Sequence, residues 1–273
     1  MTEHVTLTLR APLEESIEAT SVVSDRFASL SERDIAALPV WCGRKQQALG
    51  EFFAVDGGHS TDVRVIGDVW RVAELGAGMA AGRLVIEGAA GDRIGLGMTA
   101  GHVDVLGAAG HDAGVGMSGG SLHIRGDVRD RVGAALPGAA RGMTGGEIVV
   151  EGAAGTDAGA RMRRGLLFIG GDTGDRTARG IIAGTVIVIG RVGAEPAHGS
   201  KRGTLVAGDG IEVPVTYRYA CDYEPPHVRL ALTYLGRRYG LSIYARLVDG
   251  RYRRYCGDAG TVAKGEILEW LPE

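Results

Sequence analysis

Hydrophobic and polar residues alternate in short, glycine-bounded segments through the middle of the chain. Each of the seven best copies begins with a glycine and continues with four or five mostly alternating residues: Gly82, Gly101, Gly120, Gly146, Gly165, Gly184 and Gly203. These glycines step by 19, 19, 26, 19, 19 and 19 residues, the long step holding an insertion around residues 131–140. A poorer copy, VRVIG, begins at Val63. Alternation with a period of two predicts short strands with one buried face.

Three columns of apolar residues appear when the segments are aligned on their first glycine. The first column contains Leu84, Val103, Leu122, Ile148, Leu167, Val186 and Leu205, and the second contains Ile86, Val105, Ile124, Val150, Ile169, Val188 and Ala207. The third, three residues before the glycine, contains every methionine except Met1: Met79, Met98, Met117, Met143 and Met162, followed by Ile181 and Ser200. Columns repeated at one fixed step predict side chains stacked inside a solenoid.

A repeat of 19 residues is too short for two helices, and no helical periodicity is present. We therefore predict an all-β fold, a right-handed parallel β-helix of about seven coils with glycines at the corners and small caps at both ends. We expect an N-terminal cap segment over residues 1–60, the β-helix over residues 61–212, and an aromatic and basic C-terminal segment over residues 213–273.

Local signals predict two elements in these caps. Ser31 and Asp34, placed before an apolar run that Pro39 ends, predict a short capped helix. In the C-terminal segment, residues 241–248 and the run RYRRY flank Asp249-Gly250, a pair suited to a type I′ turn, and so predict a β-hairpin.

Composition excludes several protein classes. Glycine makes up 46 of 273 residues, but it does not recur at every third position and proline is scarce, which excludes collagen. Hydrophobic residues reach 45%, enough for a core, and no run approaches the roughly 20 apolar residues of a membrane span. Cys42, Cys221 and Cys256 form neither a disulfide framework nor a metal-binding spacing. Without a signal peptide, the chain is expected to be soluble and cytoplasmic.

The residues offer little support for chemistry on this chain. Glycine pairs such as Gly95 and Gly97 recur with the repeat and no phosphate-binding loop follows them, so nucleotide binding is not predicted. Asp104 and His123 occupy the same position in neighbouring repeats, and we interpret them as a solvated polar pair. No nucleophile–base arrangement has local support. We expect no catalytic residue and no metal site.

Two surface features point to partners. The position between the two buried columns contains Val85, Asp104, His123, Val149, Phe168, Ile187 and Val206. Its last four residues, Val149, Phe168, Ile187 and Val206, form an apolar stripe on the expected outer face. Such a stripe needs a cover, which is either the interface with another protein chain or the chain's own C-terminal hairpin.

Charge is the second surface feature. Residues 1–128 carry 10 basic and 17 acidic residues, a net charge of −7, whereas residues 129–273 carry 20 basic and 16 acidic, a net charge of +4. Arg161, Arg163 and Arg164 form one basic cluster. An isoelectric point near 6.2 without a recognised module argues against nucleic acid. The alternatives are an acidic partner or polyanion bound at these arginines, or arginines that are simply solvated.

The repeat resembles a known domain. The runs GAAGDRIGLGMTAG (residues 88–101), GAAGHDAGVGMSGG (107–120) and RGMTGGEIVVEGAAG (141–155) are similar to the GXGXG-repeat domain. That domain is found in the C subunit of formylmethanofuran dehydrogenase and at the C-terminus of the large subunit of glutamate synthase. Residues 25–41, followed by LGEFFAVDG at 49–57, resemble the formylmethanofuran dehydrogenase family specifically. The resemblance covers residues 5–210.

The resemblance implies a β-helical scaffold subunit with no redox centre or metal of its own. The related complexes either reduce CO2 onto methanofuran with tungsten or molybdenum and iron–sulfur centres, or transfer a formyl group from tetrahydromethanopterin to a methanofuran-like carrier and hydrolyse it to formate. Arginine far outnumbers lysine here, which favours the second, bacterial formyltransferase/hydrolase complex. The carrier and the metal centres would then belong to partner subunits. Because such carriers can bear polyglutamate chains, Arg161, Arg163 and Arg164 are the first candidates to meet one.

Two other functions stay open from sequence. One is the C subunit of a tungsten or molybdenum formylmethanofuran dehydrogenase that reduces CO2. The other is a β-helix enzyme with its own site on the flank of the solenoid, which acids and histidines converging on stacked coils would favour.

Overall fold

The computed structural model describes residues 4–241 and 245–272. The strands are β1 (Val5–Leu9), β2 (Ile17–Glu18), β3 (Pro39–Cys42), β4 (Lys45–Ala48), β5 (Phe53–Asp56), β6 (Asp62–Ile66), β7 (Val72–Ala73), β8 (Arg83–Ile86), β9 (His102–Val105), β10 (Ser121–Ile124), β11 (Glu147–Val150), β12 (Leu166–Ile169), β13 (Thr185–Val188), β14 (Thr204–Ala207), β15 (Arg218–Tyr223), β16 (Arg251–Gly257) and β17 (Gly265–Leu271). The helices are α1 (Ser24–Phe27), α2 (Glu32–Ala36), α3 (Leu49–Phe52), α4 (Pro226–Tyr239) and α5 (Ala245–Val248). The fold is therefore rich in β-structure, as predicted.

One sheet of 13 strands contains all the repeats, in the order β15-β16-β17-β14-β13-β12-β11-β10-β9-β8-β6-β1-β5. Strands β6, β8 to β14 and β17 run parallel, each paired with the next repeat in the predicted register; Leu122, for example, faces Val103 on one side and Ile148 on the other. A second line of single parallel bridges joins the same repeats at Val69, Ala90, Ala109, Val128, Ala154, Thr173 and Val192. Each repeat thus contributes one strand and one bridge.

The three apolar columns form the main core. Every methionine from Met79 to Met162 in the third column is fully buried, as are all residues of the first and second columns. The first glycine of the repeats from Gly82 to Gly184 has φ between +76° and +100°, a backbone conformation that residues with a Cβ rarely adopt. The apolar columns are therefore explained by the packed interior, and the repeated glycines by the left-handed backbone conformation at the start of each repeat.

An alternating ladder of charges follows one edge of the repeats. Its members all have positive φ: Glu74, Arg93, Asp112, Arg131, Asp157, Arg176 and Glu195. Successive pairs form salt bridges: Arg93 Nε lies 2.6 Å from Glu74, Arg131 Nε lies 2.7 Å from Asp112, and Arg176 Nη2 lies 3.0 Å from Asp157. The alternation of sign places opposite charges on adjacent repeats.

The structure confirms one cap element and corrects the other. Helix α2 begins after Ser31, whose side chain forms a capping box with Asp34, as predicted. The hairpin around Asp249-Gly250 is wrong: residues 245–248 form helix α5, and residues 242–244 lie outside the described residues. Leu247 of α5 is buried, and its carbonyl accepts a hydrogen bond from the Tyr252 hydroxyl.

The strand after the expected turn has different partners. Strand β16 pairs antiparallel with β15 and β17, and residues 245–248, which were expected in its partner strand, are helical. Helix α4, which was not predicted from the sequence, precedes this region. None of the described helices combines the length and the apolar composition needed to cross a bilayer.

Candidate functional site on the outer face of the large sheet

The outer face of the large sheet changes character along the repeats. Asp104 and His123 occupy the outer column on β9 and β10, while Val149, Phe168 and Ile187 occupy it on β11 to β13. These strands are in register, so polar and apolar side chains lie on one continuous surface. Both halves of this surface are covered by the C-terminal segment.

The apolar stripe is covered by the chain itself. Val149, Phe168, Ile187 and Val206 are 0–1% exposed and form a second core with residues of α4, α5, β16 and β17. The expectation of a partner interface at these four residues is thereby corrected, and the alternative of a C-terminal cover holds, although the cover consists of α4 and α5 with residues of β16 and β17 rather than of the expected hairpin.

Helix α4 has the signals expected of an amphipathic cover. Pro226 occupies its first turn, and Gly240 ends it with φ of 69°. Val228, Leu232 and Leu235 follow one another at spacings of four and three residues, which places them on one face, and all three are buried in the second core. The opposite face remains in solvent, where Leu230 is 72% exposed.

The polar half of the surface is a buried network rather than a solvated pair. Asp104 is 6% exposed and accepts hydrogen bonds from Arg83 Nη2 at 2.9 Å and His102 Nε2 at 3.0 Å, while His123 Nδ1 lies 3.3 Å away. Burial alone raises the pKa of Asp104, but these hydrogen bonds outweigh it and hold that pKa far below its ordinary value. Asp104 is therefore the ionised centre of the network.

His123 lies between two carboxylates. Its Nδ1 faces Asp104, and its Nε2 lies 2.8 Å from Glu151 Oε1. An ionised carboxylate only accepts hydrogen bonds, so the imidazole ring donates to both only in its protonated form. The ring of Tyr239 packs edge-on against His123, with centroids 4.8 Å apart. The last turn of α4 thus closes over the histidine.

The same turn is fixed by a further carboxylate. Glu147 accepts hydrogen bonds from the hydroxyls of Tyr239 at 2.7 Å and Tyr234 at 3.1 Å, and its Oε1 lies 2.8 Å from Arg238 Nε. Burial raises the pKa of Tyr239 well above its ordinary value, and the hydrogen bond to Glu147 adds to this. The C-terminal end of α4 is therefore bound to the sheet by polar contacts and its middle by apolar ones.

One arrangement within the network resembles a nucleophile with its base. Ser121 Oγ lies 2.6 Å from His102 Nδ1, and the other ring nitrogen of His102 faces Asp104. Ser121 is only 4% exposed, and Arg238 Nη2 lies 3.4 Å from its hydroxyl. Among the described residues, no group of three or more histidine, cysteine, aspartate or glutamate side chains is placed to hold a metal ion.

The predicted basic cluster lies elsewhere on the repeats. Arg161 lines a cleft of about 230 Å³ beside the insertion, and its Nη1 donates to the Ala139 carbonyl at 3.1 Å. Arg163 and Arg164 follow the buried Met162 and do not line this cleft. The structure therefore leaves Arg161 and Arg164 exposed, without bringing the three guanidinium groups into one pocket.

Sequence reasoning missed a cleft where strands β2 and β3 meet the first repeats. Trp41, Trp70, Arg71 and Arg129 are among its lining residues, and its volume is about 420 Å³. Trp70 and Arg129 both stand in a column of the repeat that is otherwise glycine. That break in the glycine column is the signal that could have identified the cleft.

Comparisons with curated proteins and with solved structures both find proteins similar to this chain. No protein-family profile matches the chain. The C subunit of molybdenum-containing formylmethanofuran dehydrogenase 1 from Methanosarcina barkeri is 40% identical over 92 residues, which are 32% of this chain and 31% of that protein. The corresponding protein of Methanothermobacter marburgensis is 36% identical over 77 residues, 28% of this chain and 19% of that protein. The matched region thus spans a third or less of these curated relatives.

A solved structure matches far more of the chain. A chain of the formyltransferase/hydrolase complex (FhcABCD) from Methylorubrum extorquens, crystallised in complex with methylofuran, is 35% identical and superposes with a TM-score of 0.90. The match covers 98% of this chain and 100% of that one. On this full-length similarity, together with the curated relatives, the chain belongs to the family of formylmethanofuran dehydrogenase C subunits.

Proposed function

We propose that this chain is the non-catalytic scaffold subunit of a formyltransferase/hydrolase complex in one-carbon metabolism, which takes a formyl group from a methanofuran-type carrier to formate. The observation that carries the proposal is the match to a chain of such a complex over 98% of the present chain. Carrier and metal centres then belong to the partner subunits, and the site of action is the cytoplasm.

The architecture suited to this role is a right-handed parallel β-helix of about seven coils. Its support is the pair of parallel lines of contact, one of strands and one of single bridges, that join the same successive repeats. Residues 1–60 and 213–273 would cap it as separate segments around residues 61–212. A stiff rod with two capped ends presents long flanks to which other subunits can bind.

A scaffold role agrees with the polar network beneath α4. Asp104 and His123 are buried, and each is hydrogen-bonded to other side chains of the network. Ser121 is covered by the last turn of α4 through Arg238. Buried and mutually satisfied polar groups fix one packing arrangement of a cover on a sheet, and this is the function we assign to them.

A flank enzyme is the second candidate, because the structure brings together the acids and histidines that would favour it. The specific observation is the contact of Ser121 with His102, whose other nitrogen meets Asp104. An alkylphosphonofluoridate probe that modified Ser121 in the wild type but not in Ser121→Ala would support an enzyme. We expect no modification, since the hydroxyl is closed off from solvent.

The redox complex is the remaining alternative. Its support is that the curated relatives are subunits of molybdenum-containing formylmethanofuran dehydrogenases. They match only a third or less of their own length, whereas the formyltransferase/hydrolase chain matches throughout. The two complexes differ in one measurable requirement. Formate release by hydrolysis needs no electron acceptor, whereas oxidation of the formyl group to CO2 does.

We infer that the basic second half of the chain meets an anion, with Arg161, Arg163 and Arg164 as first candidates. The anion is the polyglutamate chain of the carrier or an acidic neighbouring subunit. Reversing all three charges to glutamate should weaken assembly or carrier use, more so at low salt than at high salt. Unchanged assembly and activity at low salt would remove these arginines from the proposal.

The test of the proposed function is purification from native cells through a tag on this chain. We expect the formyltransferase and hydrolase subunits to co-purify, and the complex to release formate from the formylated carrier without an electron acceptor. A tagged chain that purifies alone would contradict the scaffold role. A complex that turns over only with an electron acceptor would assign the chain to the redox alternative.

A further inference from the structure

One column of the repeat is glycine except at two positions. The residue that follows each single bridge is Trp70, Gly91, Gly110, Arg129, Gly155, Gly174 or Gly193. Two of these glycines, Gly110 and Gly155, have the same local cause. Asp92 Oδ1 accepts the backbone N–H of His111 at 2.8 Å and fills the space that a Cβ at Gly110 would need. Asp130 does the same for Thr156 and Gly155.

The two exceptions are structurally linked. In the repeat before Arg129, His111 stands where Asp92 and Asp130 stand in their own repeats, and its Nδ1 accepts the Asp130 backbone N–H at 3.3 Å. The guanidinium of Arg129 reaches across the two intervening glycine positions and lies 4.7 Å from the centre of the Trp70 ring. Trp70 and Arg129 therefore form an aromatic and cationic surface over the two glycines between them, Gly91 and Gly110.

This surface forms one wall of the cleft where strands β2 and β3 meet the first repeats. Trp41 on β3 lines the same cleft and is 43% exposed. The third arginine of the cleft, Arg93, already forms salt bridges with Glu18 and Glu74. Within residues 4–241 and 245–272, Arg71 and Arg129 have no salt-bridge partner among the ion pairs of the structure. The cleft therefore offers two positive charges that no ion pair of the described residues engages, in a lining that also contains two indole rings.

A second cleft continues from the first. It has a volume of about 430 Å³, shares Trp70 and Arg71 with the first, and is lined otherwise by residues 9–13, which include Leu9, Pro12 and Leu13, and by residues 67–68. The two clefts together make a groove whose charged end carries Arg71, Arg93 and Arg129 beside Glu18 and Asp92, and whose other end is lined mainly by apolar residues. Tryptophan and arginine are the residue types that dominate binding energy at protein interfaces.

We propose that this groove, the Trp70 groove, binds an extended segment of a neighbouring subunit that carries an apolar side chain next to an acidic one. The apolar side chain would fill the cleft at Leu13, and the carboxylate would pair with Arg71 and Arg129. Two connected clefts suit consecutive side chains of a peptide better than one compact ligand. The inference rests on the proposed function, because it requires a complex.

The first test is a photo-crosslink made in the assembled complex. Trp41 is replaced by p-benzoylphenylalanine, the complex is purified through a tag on this chain and irradiated, and the crosslinked peptides are identified by mass spectrometry. We expect a peptide of another subunit that contains aspartate or glutamate beside an apolar residue. Crosslinks confined to this chain, or no crosslink in the intact complex, would overturn the proposal.

The second test compares two arginines that lie four residues apart. Arg125 and Arg129 are both exposed, but only Arg129 lines the groove. Arg129→Glu should weaken retention of the partner about tenfold, because the glutamate places two like charges together, whereas Arg125→Glu should leave retention unchanged. Thermal unfolding of both variants checks that each one folds.

The outcomes distinguish failure of the groove proposal from failure of the proposed function on which it rests. A wild-type chain that brings no partner contradicts the proposed function. Equal retention by Arg129→Glu and Arg125→Glu, with the wild-type complex intact, overturns the groove alone. A complete complex of the Arg129→Glu variant with lowered turnover would assign the groove to a small anionic ligand and would also overturn it.

Discussion

The first and second columns of the repeat, which are the inner columns of the large sheet, repeat more strictly than the outer column between them. The inner columns stay apolar from the first repeat to the last, with methionine in five successive copies beside them. The outer column is polar on β9 and β10 and apolar from β11 onward. The inner columns serve a core that every repeat shares, whereas the outer column serves a C-terminal cover that only some repeats meet. Repetition therefore encodes the shared core, and departures from repetition encode its specific contacts.

The largest expected effect distinguishes two leucines on the cover. Leu232 of α4 is 1% exposed against the outer column, and Leu230 of the same helix is 72% exposed. Leu232→Ala should lower the free energy of unfolding by about 2–5 kcal/mol, while Leu230→Ala should change it by less than about 0.5 kcal/mol. Denaturant unfolding measures both. Equal effects would mean that α4 does not cover the sheet as described.

A smaller effect is expected at the polar half of the same face. Because the pKa of Asp104 is lowered by folding, its ionised form contributes stability above its ordinary pKa, and this contribution is lost as pH falls from about 4 toward the folded value. Asp104→Asn should lower the free energy of unfolding by about 1–3 kcal/mol at pH 7 and by about 1 kcal/mol less at pH 3, because at pH 3 the carboxyl is largely protonated in the unfolded chain but not in the folded one.

The exposed Asp209→Asn serves as the matched control for this measurement. It should show no comparable difference between pH 7 and pH 3. A constant effect of Asp104→Asn across that range would contradict the ionised centre of the network.

The smallest effect should come from the ladder of alternating charges on the edge of the repeats. Arg131→Asp would place three acidic residues in succession, at 112, 131 and 157, and break the salt bridge with Asp112. Because the Arg131 side chain is 39% exposed, we expect a loss of only about 1 kcal/mol, smaller still in high salt. Chemical denaturation at low and high ionic strength tests this, and a loss that is independent of salt would contradict an electrostatic role.

The repeated parts of the molecule were predictable because each was seen several times. The strands that follow Gly82, Gly101 and Gly120 lie where the alternation placed them, and Val63 begins the buried face of β6. The capped helix after Ser31 was also predictable, since its signals are local. Each repeat strand pairs with strands of the same pattern, so its neighbours could be predicted together with it.

The parts that occur once were harder to predict. Asp249-Gly250 suits a hairpin locally, but the burial of Leu247 under α4 outweighs that preference and a helix forms before it. The spacing of Val228, Leu232 and Leu235 could have identified α4 itself. Asp104 and His123 were correctly aligned, yet Tyr239 of that helix packs on His123, and the burial of the pair was missed with the helix.

The charge ladder and the Trp70 groove were missed for a different reason. Both lie in corner columns that were aligned only for their glycines. In one column arginine and acidic residues alternate from Glu74 to Glu195, and in the other Trp70 and Arg129 replace glycine. Aligning every column of the repeat, polar ones included, would have shown both.

The most direct test of the central claim is the composition of what purifies with this chain from its native cells. We predict a stable hetero-oligomer that contains formyltransferase and hydrolase subunits and releases formate from a formylated methanofuran-type carrier without an electron acceptor. Recovery of the chain as a free monomer, with no other subunit bound at low salt, would contradict it.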